Sequence, residues 1–172
     1  MDLVEHLISR HMNPKNYKGL VLDHESNLVT AYLYNLSGQI VGYQQYNPLS
    51  KDKHTNVPRD ARYFTYRNPQ SVAVWGLETL NPSLPVCFIV EGTFKASVIH
   101  SVGYNAVALL TSTPDKSTLA WLRSLPYKLV ALGDNDPAGE KLVRTIGCGR
   151  TTQQDLDEMD PVDVNNLCVS YL

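Results

Sequence analysis

Lys128-Leu129-Val130-Ala131-Leu132-Gly133-Asp134-Asn135-Asp136-Pro137-Ala138-Gly139 decides the fold. An apolar run after Lys128 breaks abruptly into two acids and a proline that can open a helix. Val86-Cys87-Phe88-Ile89-Val90 does the same upstream and ends at Glu91-Gly92. Continuous apolar runs bounded by breakers predict parallel strands buried on both faces. Such sheets place their sites outside the carboxyl ends of the strands. Glu91, Asp134 and Asp136 are thus predicted at one sheet edge, where three carboxylates repel one another unless a cation sits among them. Hard oxygen ligands of this kind suit Mg²⁺ or Mn²⁺. The plainer alternative for Asp134 and Asp136 is a turn-forming and helix-capping role. Glu91-Gly92 upstream tips the balance toward a metal site for phosphoryl chemistry.

Between and beyond these stretches the pattern alternates. A strand at 86–90 is followed by a helix at 93–102 ended by Gly103, a strand at 105–110 and a helix at 115–124. A strand at 128–132 and a helix at 137–146, ended by Gly147, complete the series. This order implies an α/β fold: a parallel sheet flanked by helices with right-handed crossovers. The tail after Gly149 reads as acidic and poorly periodic.

The first half differs. Leu3, Val4, Leu7, Ile8 and Met12 recur at helical spacing, so residues 2–12 read as an amphipathic helix. Residues 28–36 and 39–46, joined by Ser37-Gly38, read as a β-hairpin. Residues 47–60 are a polar loop with Pro48 and Pro58, residues 62–66 a further short strand, and residues 76–80 a helix start or turn leading to Pro82 and Pro85. The domain expectation is an N-terminal subdomain at 1–85 (helix, hairpin, basic and aromatic loop) and an α/β domain at 86–172.

Composition narrows the function classes. Of 172 residues 43% are hydrophobic and 19% charged, ordinary for a globular protein. No apolar run approaches the ~20 residues a bilayer span needs. Met1-Asp2-Leu3-Val4-Glu5-His6 lacks the basic start of a signal peptide. Cys87, Cys148 and Cys168 contain no C-x-x-C, which excludes a zinc ribbon and fits a reduced, cytoplasmic setting. Net charge is −2, unevenly spread: residues 1–90 carry eight Lys/Arg against seven Asp/Glu, and residues 91–172 seven against ten. Late acids and earlier bases suit a metal-dependent enzyme acting on a polyanion.

In the metal reading the two aspartates hold one or two ions, and Glu91 serves as general base or as a further ligand through water. Gly92, Ala138 and Gly139 keep bulk away from an approaching polyphosphate, and the helix N-terminus at Pro137 adds positive dipole. Lys51, Lys53, Arg59, Arg62 and Arg67 interleave with Tyr43, Tyr46, Tyr63, Phe64 and Tyr66. Cations for phosphates and rings for bases suit single-stranded nucleic acid, with core packing the alternative for the rings. Lys95, on the helix after Glu91, is a further candidate for phosphate contact. His24, His54 and His100 show no ligand spacing, and Trp121 with Leu119 and Leu122 reads as core.

An apolar strand ending in Glu-Gly, then one ending in Asp-x-Asp-x-Ala-Gly, resembles the Toprim domain of topoisomerases, primases and small nucleases. The hairpin Leu36-Ser37-Gly38-Gln39-Ile40-Val41-Gly42-Tyr43 resembles the one that precedes Toprim in bacterial and phage DNA primases. So does Ala61-Arg62-Tyr63-Phe64-Thr65-Tyr66-Arg67-Asn68 with Trp75-Gly76-Leu77-Glu78, and residues 28–160 are covered in order. The resemblance implies a Toprim fold, a Rossmann-like parallel sheet flanked by helices, behind a small mixed α/β N-terminal subdomain. It implies a catalytic set of Glu91, Asp134 and Asp136, and a third acidic motif for the metal at Asp155 and Asp157, with Asp163 the second choice. Arg62 falls where the family has a basic residue for nucleotide or template, whereas Tyr46 stands where primases commonly carry Arg.

The implied function is Mg²⁺- or Mn²⁺-dependent synthesis of short RNA on a single-stranded DNA template, as in phage or mobile-element replication. NTPs are the substrates, a helicase or other replication protein a further partner, and the cytoplasm, the host's if phage-encoded, the setting. No zinc-binding or helicase segment is found in these residues, so a stripped primase core is expected, with template recognition supplied from elsewhere. A Toprim nuclease cutting DNA or structured RNA is the alternative enzyme. A catalytically silent protein binding nucleic acid or a replication partner is the alternative outside catalysis. The acids are expected to face one cleft, with the bases and rings of 43–67 lining the same groove.

Overall fold

Two four-stranded sheets organise the chain in a computed structural model that describes residues 1–53, 55 and 57–172. The second sheet is the one that decides function. Its strands β5 (Val86–Val90), β6 (Asn105–Ala108), β7 (Lys128–Gly133) and β8 (Gly149–Thr151) pair in parallel, in the order β6-β5-β7-β8. All five residues of β5 are buried, as an apolar run without alternation requires. Cys87 and Ile89 join an apolar cluster with Leu122 and Leu142, while Val86, Phe88 and Val90 join a larger one on the opposite face.

The connecting helices are α2 (Thr93–Ser101), α3 (Lys116–Ser124) and α4 (Pro137–Ile146). Leu122 of α3 and Leu142 of α4 cover one face, and Phe94, Ala96, Val98 and Ile99 of α2 cover the other. The chain leaves β5 toward β6 through α2, then crosses back past β5 to β7 through α3. The loops after β5 and β7 therefore diverge, which opens a crevice at the carboxyl ends of these two neighbouring strands. Aspartates start the helices: Asp115 accepts from Thr118 N at 2.7 Å, and Asp136 from Gly139 N at 2.7 Å. Gly147 ends α4 with φ 88°.

Residues 1–85 build the antiparallel sheet β1 (Leu20–Asp23), β2 (Leu28–Tyr34), β3 (Ile40–Tyr46) and β4 (Tyr63–Arg67), in that order. The predicted hairpin is β2–β3, and its turn is closed by Asn35, whose side chain accepts from Gln39 N at 2.9 Å. Helix α1 (Leu3–Ser9) precedes the sheet, capped by Asp2. Its buried side is narrower than predicted: Leu3 and Leu7 are buried with Met12, whereas Val4 and Ile8 face solvent. One apolar cluster runs from Leu3, Leu7, Leu33 and Tyr46 through Trp75 to Phe88, Phe94 and Leu167, so the two sheets share a core.

The tail after Gly149 is regular where sequence reading expected none. Strand β8 extends the parallel sheet, and α5 (Pro161–Val169) starts at Asp160, which accepts from Val162 N at 2.8 Å. Leu156, Val164, Leu167 and Cys168 are buried against the larger cluster. Among the described residues no helix is long and apolar enough to cross a membrane.

Candidate active cleft

Glu91 follows the last residue of β5 and Asp134 the last residue of β7, and both line a cleft of about 920 Å³ between the two sheets. Local backbone fixes each. Leu110, in the left-handed region at φ 59°, donates its N–H to Glu91 O at 2.8 Å. Gly133 and Gly139 pack backbone to backbone around Asp134: a Cβ on Gly139 would collide with Asp134, and one on Gly133 with Gly139. Gly139 is thus a packing requirement of the turn. At Gly92, which lines the cleft, a Cβ would meet nothing within 4 Å, so the space beside the backbone there is open.

Lys95 stands among the acids. Four residues after Glu91 on α2, its Nζ donates to Asp134 Oδ1 and lies 3.9 Å from Asp155 Oδ1. The cation required by the crowded carboxylates is therefore present as a side chain. Burial, then Asp134 and Asp136, push the Glu91 carboxyl above its ordinary value, and Lys95 pulls the other way. Burial opposes the charge on Lys95, yet its bond to Asp134 and the pull of Asp134, Asp155 and Glu91 raise its pKa overall.

Asp136 behaves differently from Asp134. It is exposed, caps α4 through Gly139, and does not line the cleft, although its charge is felt at Glu91. Asp155 and Asp157 both line the cleft. Asp157, with its side chain 5% exposed, is bonded by Arg10 Nη2. Asp163 lies in the first turn of α5, exposed and away from the cleft.

Among the described residues no group of three or more His, Cys, Asp and Glu side chains is placed to hold a metal ion unaided. Glu91 and Asp134 nevertheless offer two hard oxygen donors in one cleft, with open space at Gly92 beside them. Mg²⁺ is commonly held by one or two carboxylates, with waters and substrate phosphates completing its shell. Glu91 and Asp134 are the two donors that one such ion would use.

The facing wall is basic and aromatic. Register pairs Tyr46 with Tyr63 and Gln44 with Thr65, and all four line the cleft. Tyr43, Phe64 and Tyr66 fall on the alternate side of the same strands and pack together there, Tyr43 and Tyr66 at 5.7 Å between centroids. The rings of 43–67 are thus divided between two faces. Tyr63, 38% exposed, stacks on buried Tyr46 at 5.1 Å. Arg62 and Lys53 line the cleft, and Arg62 Nη1 donates to Ser50 O at 3.3 Å. Lys51 and Arg59 are exposed and outside the lining. Arg67 is also outside: its Nη2 donates to Leu110 O at 2.8 Å, bracing the residue that holds the Glu91 carbonyl.

Sequence reading missed Glu158 beside Asp157, and His6 and Arg10 of the α1 segment, all of which line the cleft. His6 Nε2 bonds the Tyr46 hydroxyl at 2.9 Å, and Arg10 Nη1 donates to the same hydroxyl at 3.3 Å. The Arg10 guanidinium lies 3.7 Å from the Phe94 ring centroid and 5.9 Å from that of Tyr46. Burial, then Arg10 and Arg62, hold the His6 pKa below its ordinary value. Their spacing of four places both on one helix face, the only local signal available. Among the other histidines, His24 is exposed and His54 lies outside the described residues. His100 packs between Tyr17 and Trp75, its Nε2 on Ala106 O at 2.8 Å.

No protein-family model matches this sequence, and no curated protein matches it. Solved structures do. The RNA polymerase domain of Mycobacterium tuberculosis primase DnaG superposes with a TM-score of 0.64 at 15% identity, over 98% of this chain and 62% of that one. The primase fragment of the bacteriophage T7 primase-helicase protein gives 0.64 at 16%, over 89% and 65%. The DnaG primase catalytic domain bound to ssDNA gives 0.59 at 14%, over 96% and 56%. The chain therefore spans less than two thirds of each of these relatives. Its architecture is that of bacterial and phage primase catalytic cores, and likeness at this identity concerns the fold.

Proposed function

We propose that this protein is a divalent-metal-dependent nucleotidyltransferase that joins ribonucleotides on a single-stranded DNA template. The observation that carries this reading is a single cleft with two unlike walls: Glu91, Asp134 and Asp155 on one side, Arg62, Lys53, Arg10 and Tyr63 on the other. A polyanion needs cations along its backbone and a ring on which a base can stack, and the second wall offers both. Phosphoryl transfer needs charge neutralisation and positioning at the reacting phosphate, and the first wall is placed for that. Bound by Glu91 and Asp134, a divalent ion would act there as a Lewis acid and template for phosphate oxygens.

This chain's own groups divide the remaining work. Arg62 and Lys53 hold template or nucleotide phosphates, and Tyr63 offers its exposed ring to a base. Lys95 keeps Asp134 oriented toward the cleft, and the open space at Gly92 admits the nucleotide phosphates. The fold supports the reading, since the ssDNA-bound primase domain superposes on 96% of the chain. The T7 relative belongs to a primase-helicase protein, which makes a helicase the partner class in this reading and the cytoplasm its setting.

The test is incubation with labelled NTPs, single-stranded DNA and Mg²⁺ or Mn²⁺, resolved on a gel. A ladder of short RNA supports the proposal. Shortened template without RNA would mark a nuclease, and neither product would leave nucleic-acid binding as the role.

A further inference from the structure

Three carboxylates that line the cleft act on the Lys95 ammonium: Glu91, Asp134 and the exposed Asp155. Lys95 is positioned by the fold rather than by chance. It sits in the first turn of α2, the helix that opens after Gly92 directly beyond the strand end carrying Glu91. Its Nζ reaches across to Asp134 on the neighbouring strand end and to Asp155 of the tail, and its side chain is only 14% exposed. Of the other nearby acids, Asp157 is engaged by Arg10 and Asp136 by the Gly139 N–H that it caps, while Glu158 lines the cleft as an exposed side chain outside the set that acts on Lys95.

Charge then limits what the site can accept. Three carboxylates and one ammonium leave two negative charges, which one divalent ion cancels. A second divalent ion would have to take Asp134 or Asp155 from Lys95 and share the space with its positive charge. We propose that Lys95 is a resident cation standing where a second metal ion would otherwise bind, so that the cleft holds one divalent ion, on Glu91 and Asp134. The inference rests on reading this cleft as a divalent-ion site.

The experiment counts bound Mn²⁺ on the full chain by the loss of the free-ion paramagnetic resonance signal, with no template or nucleotide present. The wild-type protein should bind one Mn²⁺. Lys95→Asp should bind two, and Lys95→Met should bind Mn²⁺ about 10-fold tighter, because a like charge has left the site. Far-UV circular dichroism and a thermal melt establish that each variant folds. If Lys95→Met does not fold, the wild-type and Lys95→Asp counts still decide. Two ions on the wild-type chain, none, or an unchanged count in Lys95→Asp overturns the proposal. RNA synthesis is assayed separately. A shift from one ion to two without any synthesis would sink the primase reading alone, and synthesis by a wild-type chain holding two ions would sink the Lys95 assignment alone.

Discussion

On the acidic wall, Glu91 and Asp134 follow the ends of two neighbouring parallel strands. On the facing wall, Arg10, Arg62 and Lys53 come from the end of a helix, the residue before a strand and a loop. The first arrangement is set by topology: once β5 and β7 pair in parallel, the residues after them must emerge together at one edge. The second depends on which side of β4 a residue falls and on how α1 packs, and neither is a local property. Lys95 and Arg10 are the cations that link the parts. Lys95 ties the acids to one another, and Arg10 joins α1 to Phe94 and Asp157.

The largest effect that would separate the two walls is Asp134→Ala. RNA synthesis should fall by about 100-fold or more, the scale of losing one preorganised electrostatic group, while single-stranded DNA binding is retained. A parallel loss of binding, measured by fluorescence anisotropy, would mean that the walls do not divide the work.

Arg10→Met comes next. It leaves Asp157, 5% exposed, without its ion partner and removes the guanidinium from Phe94. Stability in urea should fall by about 2 kcal/mol, less than breaking a fully buried pair costs, since the Arg10 side chain is 26% exposed. Combining it with Asp157→Asn should add little to the single losses. Full additivity would show that the pair does not couple.

Arg62 and Arg67 sharpen the basic wall further. Arg62→Ala should weaken single-stranded DNA binding several-fold and reduce the slope of log affinity against log salt by about 0.7, one phosphate contact. Arg67→Ala should leave that slope unchanged, because its guanidinium is spent on Leu110 O. Equal slopes for the two variants would erase the distinction between lining the cleft and bracing it.

The smallest effect concerns His6. Its folded pKa lies below the ordinary 6.5, so protonation costs the folded state more than the unfolded one. The stability it contributes is complete above 6.5 and is lost as pH falls through the lowered folded value. His6→Gln, which can still bond Tyr46, should flatten the decline of thermal midpoint below pH 6.5. An unchanged profile would remove His6 from the account.

The two walls also differ in how far they could be read from sequence. Helix α4 begins and ends where Pro137 and Gly147 place it, and β5 matches its apolar run residue for residue. Strand β8 escaped because Gly149-Arg150-Thr151 has no apolar signal and exists only as an addition to β7. Strand β1 escaped because four residues at a sheet edge, half of them exposed, carry too little pattern. In α5, Val162 and Val169 face solvent and dilute the buried spacing of Val164, Leu167 and Cys168. The acids at the strand ends were legible for the same reason as the strands. Lys95 was noticed only as a phosphate contact, since its partner is 39 residues away and no local pattern joins them. Tyr43, Phe64 and Tyr66 could have been separated from Tyr63 by strand parity alone, had the register been known.

Arg10 and Asp157 are 147 residues apart in the chain yet bonded at the cleft. A nascent polypeptide leaving the ribosome can complete the β2–β3 hairpin and pair β5 with β6 long before Asp157 has been made. The site itself must wait, because one of its walls is held in place by a residue from the last segment to be translated among those that line it. Closure of a loop this long comes late and is entropically slow. During synthesis both sheets can therefore begin before the cleft is finished, and the cleft is complete only once that final tie is made.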